Sequence, residues 1–120
     1  MFNGDFVDRG SFSVENVMYL LVLKLLFPNT FFLSRGNHET KNMNKIYGFE
    51  GEVLHKYDSA LMDLFTVLFN ELPLAHVIEH KAFVVHGGLF QRDGVKLSEI
   101  RAIPRGREVR FIFMFILTCD

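Results

Sequence analysis

The spacing of hydrophobic positions changes several times along the chain, and each change marks an element. Met1-Phe2-Asn3 reads as the closing residues of a strand that runs into the loop Gly4-Asp5-Phe6-Val7-Asp8-Arg9-Gly10. Val17, Met18, Leu20, Leu21, Leu23, Leu25 and Leu26 then leave little polar face, which predicts a largely buried helix. Ser13 is the expected N-cap, Glu15 suits the positive end of the macrodipole, and Pro28 ends the helix. Thr30 to Ser34 (TFFLS) predicts a short buried strand. Strand end, loop, helix and strand make a βαβ unit, the building block of layered α/β folds.

Helical spacing returns after Arg35-Gly36-Asn37-His38-Glu39. Leu61, Leu64, Phe65, Leu68 and Phe69 recur at i, i+3, i+4, i+7 and i+8, one face of a helix that Pro73 closes. Leu74 to Glu79 and Ala82 to Val85 read as two strands turning near His80-Lys81, and the second delivers His86-Gly87-Gly88. Arg92-Asp93-Gly94 signals a turn, and Ser98 is the expected cap of a short helix through Arg101. Pro104-Arg105-Gly106-Arg107 breaks the pattern. Val109 to Leu117 shows neither alternation nor helical spacing and carries no charge after Arg110, an aggregation hazard where exposed. Residues 1–103 therefore read as one unit, with 104–120 a divergent apolar tail of unknown structure.

Composition narrows the function classes. A chain of 120 residues suffices for one small domain. A formal net charge of −1 excludes a charge-driven nucleic-acid binder, and 14 phenylalanines with 3 tyrosines exclude a disordered chain. Cys119, the single cysteine, excludes an internal disulfide framework and a cysteine-based zinc module, and no base near it in sequence makes it a nucleophile. The longest apolar runs, Val17–Leu23 and Phe111–Leu117, fall well short of the ~20 residues that span a bilayer. The expectation is a protein with no nucleic-acid or membrane partner, cytoplasmic and/or nuclear.

Three loops carry the candidate chemistry. Gly4 to Gly10, Gly36 to Glu39 and His86 to Gly88 each follow an expected strand, contain glycine and present a hard or borderline metal ligand. Loops at the carboxyl ends of strands in an α/β sheet converge on one crevice. Carboxylate, amide oxygen and imidazole together suit Mn²⁺, Fe or Zn²⁺. Asp5 has two oxygens and can bridge two cations, which would clamp a phosphoryl oxygen and lower the pKa of a shared water. Arg9 offers a planar fork to phosphate. His38 can protonate a leaving alkoxide while Asp8 holds its ring in one tautomer. Taken singly, each loop also reads as ordinary turn chemistry and His86 as a core histidine; together and in order they point to metal-assisted phosphoester hydrolysis. His55, His76 and His80 lack such context and are expected to be structural or exposed.

GDFVDRG at 4–10, RGNHE at 35–39 and HGG at 86–88 resemble the serine/threonine phosphoprotein phosphatase family, within the calcineurin-like metallophosphoesterases. The stretches Gly10 to Glu15, Asn42 to Val53, Leu72 to Ile78 and Gly87 to Phe90, with Asp93-Gly94-Val95 and Ile100-Arg101, look like the type 5 branch, and the resemblance runs from about Phe2 to Ile103. It implies an α/β fold, part of a β-sandwich flanked by helices. The implied reaction is hydrolysis of phosphoserine and phosphothreonine in protein substrates by direct attack of a metal-bound hydroxide. In the family site Asp5 would bridge two divalent metal ions (Mn, with Fe or Zn as alternatives), Asn37 and His86 would bind the second, His38 oriented by Asp8 would be the general acid, and Arg9 would hold the substrate phosphate. The family's upstream Asp-x-His, a further histidine ligand, a second phosphate-binding arginine and the tetratricopeptide region of type 5 relatives are not among these residues. The expectation is thus a partial catalytic domain that binds at most one metal, weakly, with slow or no turnover. A second reading is a non-catalytic interaction or decoy module of poor solubility. A nuclease of the same superfamily is disfavoured by Asp8-Arg9-Gly10 and Tyr47-Gly48-Phe49.

Overall fold

The opening strand–loop–helix–strand folds as a parallel pair. In the computed structural model, which describes residues 1–88, 90 and 92–108, β1 (Phe2–Asn3) lies beside β2 (Leu33–Ser34), with Phe2 opposite Leu33 and Asn3 opposite Ser34. Helix α1 (Ser13–Leu26) makes the crossover. Three helices follow, α2 (Lys41–Tyr47), α3 (Phe49–Lys56) and α4 (Ser59–Glu71), then an antiparallel hairpin of β3 (Ala75–Ile78) and β4 (Ala82–Val85), then the short α5 (Leu97–Arg101). The chain is α/β as expected, and the described strands form two two-stranded sheets. Asn3 Nδ2 bridges them by donating to the Val85 carbonyl at 3.0 Å, and the Arg35 N–H donates to the Pro73 carbonyl at 2.8 Å. The apolar run at 109–117 and Cys119 lie outside the described residues.

The expected strand at 30–34 shrinks to two residues for a local reason. The N–H groups of Thr30 and Phe31 donate back to the Phe27 carbonyl, and Lys24 Nζ takes the carbonyls of Pro28 and Phe31. Those residues therefore finish the turn that closes α1. A different correction applies at the helix start. Ser13 is the first helical residue rather than the cap, and its side chain caps nothing. The Glu52 carboxylate from α3 instead accepts the N–H groups of Ser13 and Val14 at 3.0 and 2.9 Å, satisfying two donors a helix start leaves orphaned. Lys56 holds that carboxylate at 2.9 Å and pairs with Glu15 at 2.7 Å.

Nor is α1 buried all round. Val14, Val17 and Leu20 enter the core, whereas Met18, Tyr19, Val22, Leu25 and Leu26 are exposed. In α4 the buried stripe is Met62, Phe65 and Phe69, with Leu61 and Leu68 flanking it. Leu64, expected on that face, is 65% exposed. Asp58 Oδ1 caps α4 by accepting from the Leu61 N–H, and in α5 the cap is the Glu99 carboxylate on the Lys96 N–H, not Ser98. The core is largely aromatic. Phe49 meets Phe65 edge-on with ring centroids 5.1 Å apart, and Phe69 meets Phe6 at 6.3 Å. Phe6 and Val7 belong to the first glycine loop, so that loop is anchored in the core by its middle.

His76 on β3 lies with Nδ1 3.1 Å from Ser34 Oγ and its ring edge-on to Phe32. Burial, with Lys24 adding to it, pushes this imidazole below the ordinary 6.5. A lowered folded-state value means the unfolded chain takes up the proton first. The stabilisation is then present above the unfolded value and is lost as pH falls through the folded one. We expect the thermal midpoint to drop on acidification from about pH 7 to 5, with a shallower slope in His76→Gln. Glu52→Ala, measured by thermal unfolding at neutral pH, should cost about 1–2 kcal/mol through loss of the α1 cap.

Candidate active site

The loops that follow β1, β2 and β4 meet at one edge of the fold. Their approach is close enough to require glycine: a Cβ on Gly4 would lie 2.6 Å from the backbone of Gly36, and one on Gly36 would press on the Asp5 N–H and carboxylate. Between them the chain adopts left-handed backbone at Asp5, Asp8 and Arg9, with φ of 55°, 72° and 60°. Such conformations cost of order 1–3 kcal/mol per residue and persist only where the surroundings dictate them.

Two buried carboxylates dictate them here. Glu39, 0% exposed, accepts N–H groups from Gly36 at 2.7 Å, Asp5 at 2.8 Å and Phe6 at 3.0 Å, tying the second loop to the first. Burial pushes its pKa above the ordinary carboxylate range, opposed by those three donors. Asp8 accepts from the Phe49 N–H at 2.9 Å through Oδ1, and from Asn44 Nδ2 at 3.2 Å and His38 Nδ1 at 2.8 Å through Oδ2. Beneath them Arg35 is buried, its guanidinium donating to the carbonyls of Glu39 and Arg107 and to Asn70 Oδ1. Burial lowers the Arg35 pKa, against the opposing pull of Glu108.

The six residues singled out in the sequence fall into two adjoining groups. In the first, Asp5 Oδ2 is 3.2 Å from His86 Nε2, and Asn37 Oδ1 is 3.2 Å from that nitrogen and 3.2–3.3 Å from both Asp5 oxygens. His86 Nδ1 donates to the Asn3 carbonyl, which leaves a lone pair on Nε2. Asp5 Oδ1 is held by the His38 N–H at 2.9 Å. The Asn37 amide can sit either way: with its NH₂ inward it donates to Asp5 and His86, and with its oxygen inward it adds a third acceptor to theirs. Among the described residues no three His, Cys, Asp or Glu side chains converge in this way. With the amide oxygen inward, carboxylate, amide oxygen and imidazole together make a donor set that would suit a divalent cation.

In the second group, His38 is 3% exposed, gives Nδ1–H to Asp8 and turns Nε2 toward Arg9 Nη2, 3.3 Å away. Tyr47 lies 5.0 Å from the His38 ring and 5.2 Å from the Arg9 guanidinium carbon. His55 and His80 are exposed. Glu39, Arg35, Asn44 and Tyr47 have structural parts here that the sequence reading did not assign. Glu39 and Arg35 stood inside the recognised RGNHE stretch, but a charged residue in a polar loop gives no hydropathy signal of burial.

Three strand-end loops thus bring Asp5, Asn37 and His86 together beside a histidine–aspartate pair and an arginine. The chain belongs to the Calcineurin-like phosphoesterase family, which it matches over residues 1–112. It is 64% identical over 105 residues to serine/threonine-protein phosphatase 5 of Arabidopsis thaliana, covering 88% of this chain and 20% of that one. It is 58% identical over 108 residues to serine/threonine-protein phosphatase 5 of Homo sapiens, covering 90% and 22%. A protein serine/threonine phosphatase structure from Saccharomyces cerevisiae, described as similar to human phosphatase PP5, superposes with a TM-score of 0.86 at 50% identity, over 89% of this chain and 34% of that one. The chain therefore spans about a fifth of the length of these two relatives.

Glu39→Gln would leave a side-chain NH₂ facing a backbone N–H. It should cost about 1–3 kcal/mol in thermal or denaturant unfolding.

Proposed function

We propose that this chain carries part of the active site of a divalent-metal-dependent phosphatase that releases phosphate from phosphoserine and phosphothreonine in proteins. The observation that supports this most is the convergence of Asp5, Asn37 and His86 on one point. In this reading those three side chains hold a cation, with Mn²⁺, Fe or Zn²⁺ all matched to the donor set. When bound, the metal supplies positive charge for the phosphoryl oxygens and an activated water. Tautomer control supports the assignment, because the Asn3 carbonyl fixes the His86 proton on Nδ1 and leaves Nε2 to ligate.

Arg9 binds the phosphate through its planar guanidinium, stacked beside Tyr47. His38 carries the proton for the leaving serine or threonine oxygen at Nε2. Its Nδ1–H is committed to Asp8, which orients the ring. Burial of that pair keeps water from competing for the carboxylate, since the Asp8 side chain is 0% exposed.

Calorimetric titration with Mn²⁺ tests the ligand set. Asn37→Leu and His86→Leu should each weaken binding by about ten- to a hundredfold or abolish it. Turnover of a phosphoserine peptide with Mn²⁺, expected to be slow at best in this partial site, should fall further in Arg9→Ala and His38→Asn. Absence of Mn²⁺ binding by the unmodified chain, or indifference of binding to Asn37 and His86, would overturn the reading.

A further inference from the structure

Asn44 has no role in the chemistry above, yet it is 1% exposed. It stands in α2, and its Nδ2 donates to the His38 carbonyl at 2.6 Å and to Asp8 Oδ2 at 3.2 Å. Its Oδ1 is buried and has no hydrogen-bond partner among the described residues. An amide in such a place leaves an acceptor unpaired, a cost an apolar side chain of similar size would avoid. The two donated bonds are what distinguish asparagine here.

Their acceptors belong to the two members of one pair. One is the main chain of His38 on the loop after β2; the other is the carboxylate of Asp8 on the loop after β1. Asp8 Oδ2 is also the atom that accepts Nδ1–H of His38 at 2.8 Å. The Phe49 N–H holds the other oxygen, Oδ1. Among the described residues, Asn44 is the side chain that hydrogen-bonds both Asp8 and the main chain of His38.

We propose that Asn44 is a positioning residue for the Asp8–His38 pair: one amide group sets the Asp8 carboxylate against the imidazole and fixes the imidazole's own main chain. Without it, Asp8 keeps only the Phe49 contact and can turn about its last torsion, so Nδ1–H of His38 loses a fixed acceptor. The consequence for proton transfer rests on the phosphatase reading; the positional consequence does not.

The test is proton NMR of the full 120-residue chain with ¹⁵N-labelled histidine. The unmodified chain should show a protected downfield Nδ1–H signal that is absent from His38→Asn. Asn44→Ala and the near-isosteric Asn44→Asp should lose that signal or exchange it about tenfold or more faster, with the dispersed backbone spectrum retained. Their Mn²⁺ affinity, by calorimetry, should stay within about threefold, because the Asn44 side chain hydrogen-bonds none of Asp5, Asn37 and His86 among the described residues. The proposal is overturned if the unmodified chain has no protected signal, if both variants keep it, or if the variants lose dispersion or metal binding together with it. Failure of the unmodified chain to bind Mn²⁺ would instead sink the phosphatase reading and leave the Nδ1–H comparison to decide Asn44.

Discussion

The site depends on one carboxylate facing inward. Glu39 collects three main-chain N–H groups, two from the loop after β1 and one from the loop after β2. The first loop holds its backbone left-handed at Asp5, Asp8 and Arg9, a shape a free chain would abandon. Hydrogen bonds to a charged acceptor in a dry environment are stronger than those it would make in water, so the same burial that raises the Glu39 pKa also makes the latch firm. Remove the latch and the Asp5 carboxylate and the Asn37 amide, on opposite sides of it, no longer have a reason to meet.

A second level of control lies in where protons sit. Two histidines at the site have their Nδ1–H engaged, His86 by the Asn3 carbonyl and His38 by the Asp8 carboxylate. The partners differ in charge, and the far nitrogens face different neighbours. Behind His86 stands a neutral carbonyl, and its Nε2 faces Asp5 and Asn37. Behind His38 stands a carboxylate, and its Nε2 faces Arg9. The group behind each ring thus sets where its far nitrogen points.

Much of this was legible in the sequence because glycine-bearing loops after strands carry both a backbone and a chemical signal. The βαβ opening, the α4 helix and the hairpin were readable from periodicity, and the six site residues lie in the three loops singled out. What escaped was anything that depends on a distant partner. The α1 cap was assigned to Ser13 by proximity, whereas the acceptor is Glu52 on α3, 39 positions away. The strand at 30–34 was overlong because Lys24 and Phe27 claim its first carbonyls and amides. The burial of α1 was overestimated, since hydropathy counts apolar residues but cannot say how many neighbours there are to cover them.

The same separation between local and distant information explains how the core and the site are coupled. Phe6 lies between Asp5 and Asp8 in sequence, and its ring packs on Phe69 while its N–H is held by Glu39. Phe49 packs against Phe65 and Phe69 while its N–H holds Asp8. Each of these phenylalanines has a side chain in the hydrophobic cluster and a main chain in the polar one. A substitution that shifted either ring would therefore move a hydrogen-bond donor at the site by a comparable distance, without touching any residue that does chemistry. Close packing transmits such shifts because the interior has no slack to absorb them. The precision of the polar groups is inherited from the aromatic core, which explains why a loop rich in charge and glycine has Phe6 and Val7 at its centre.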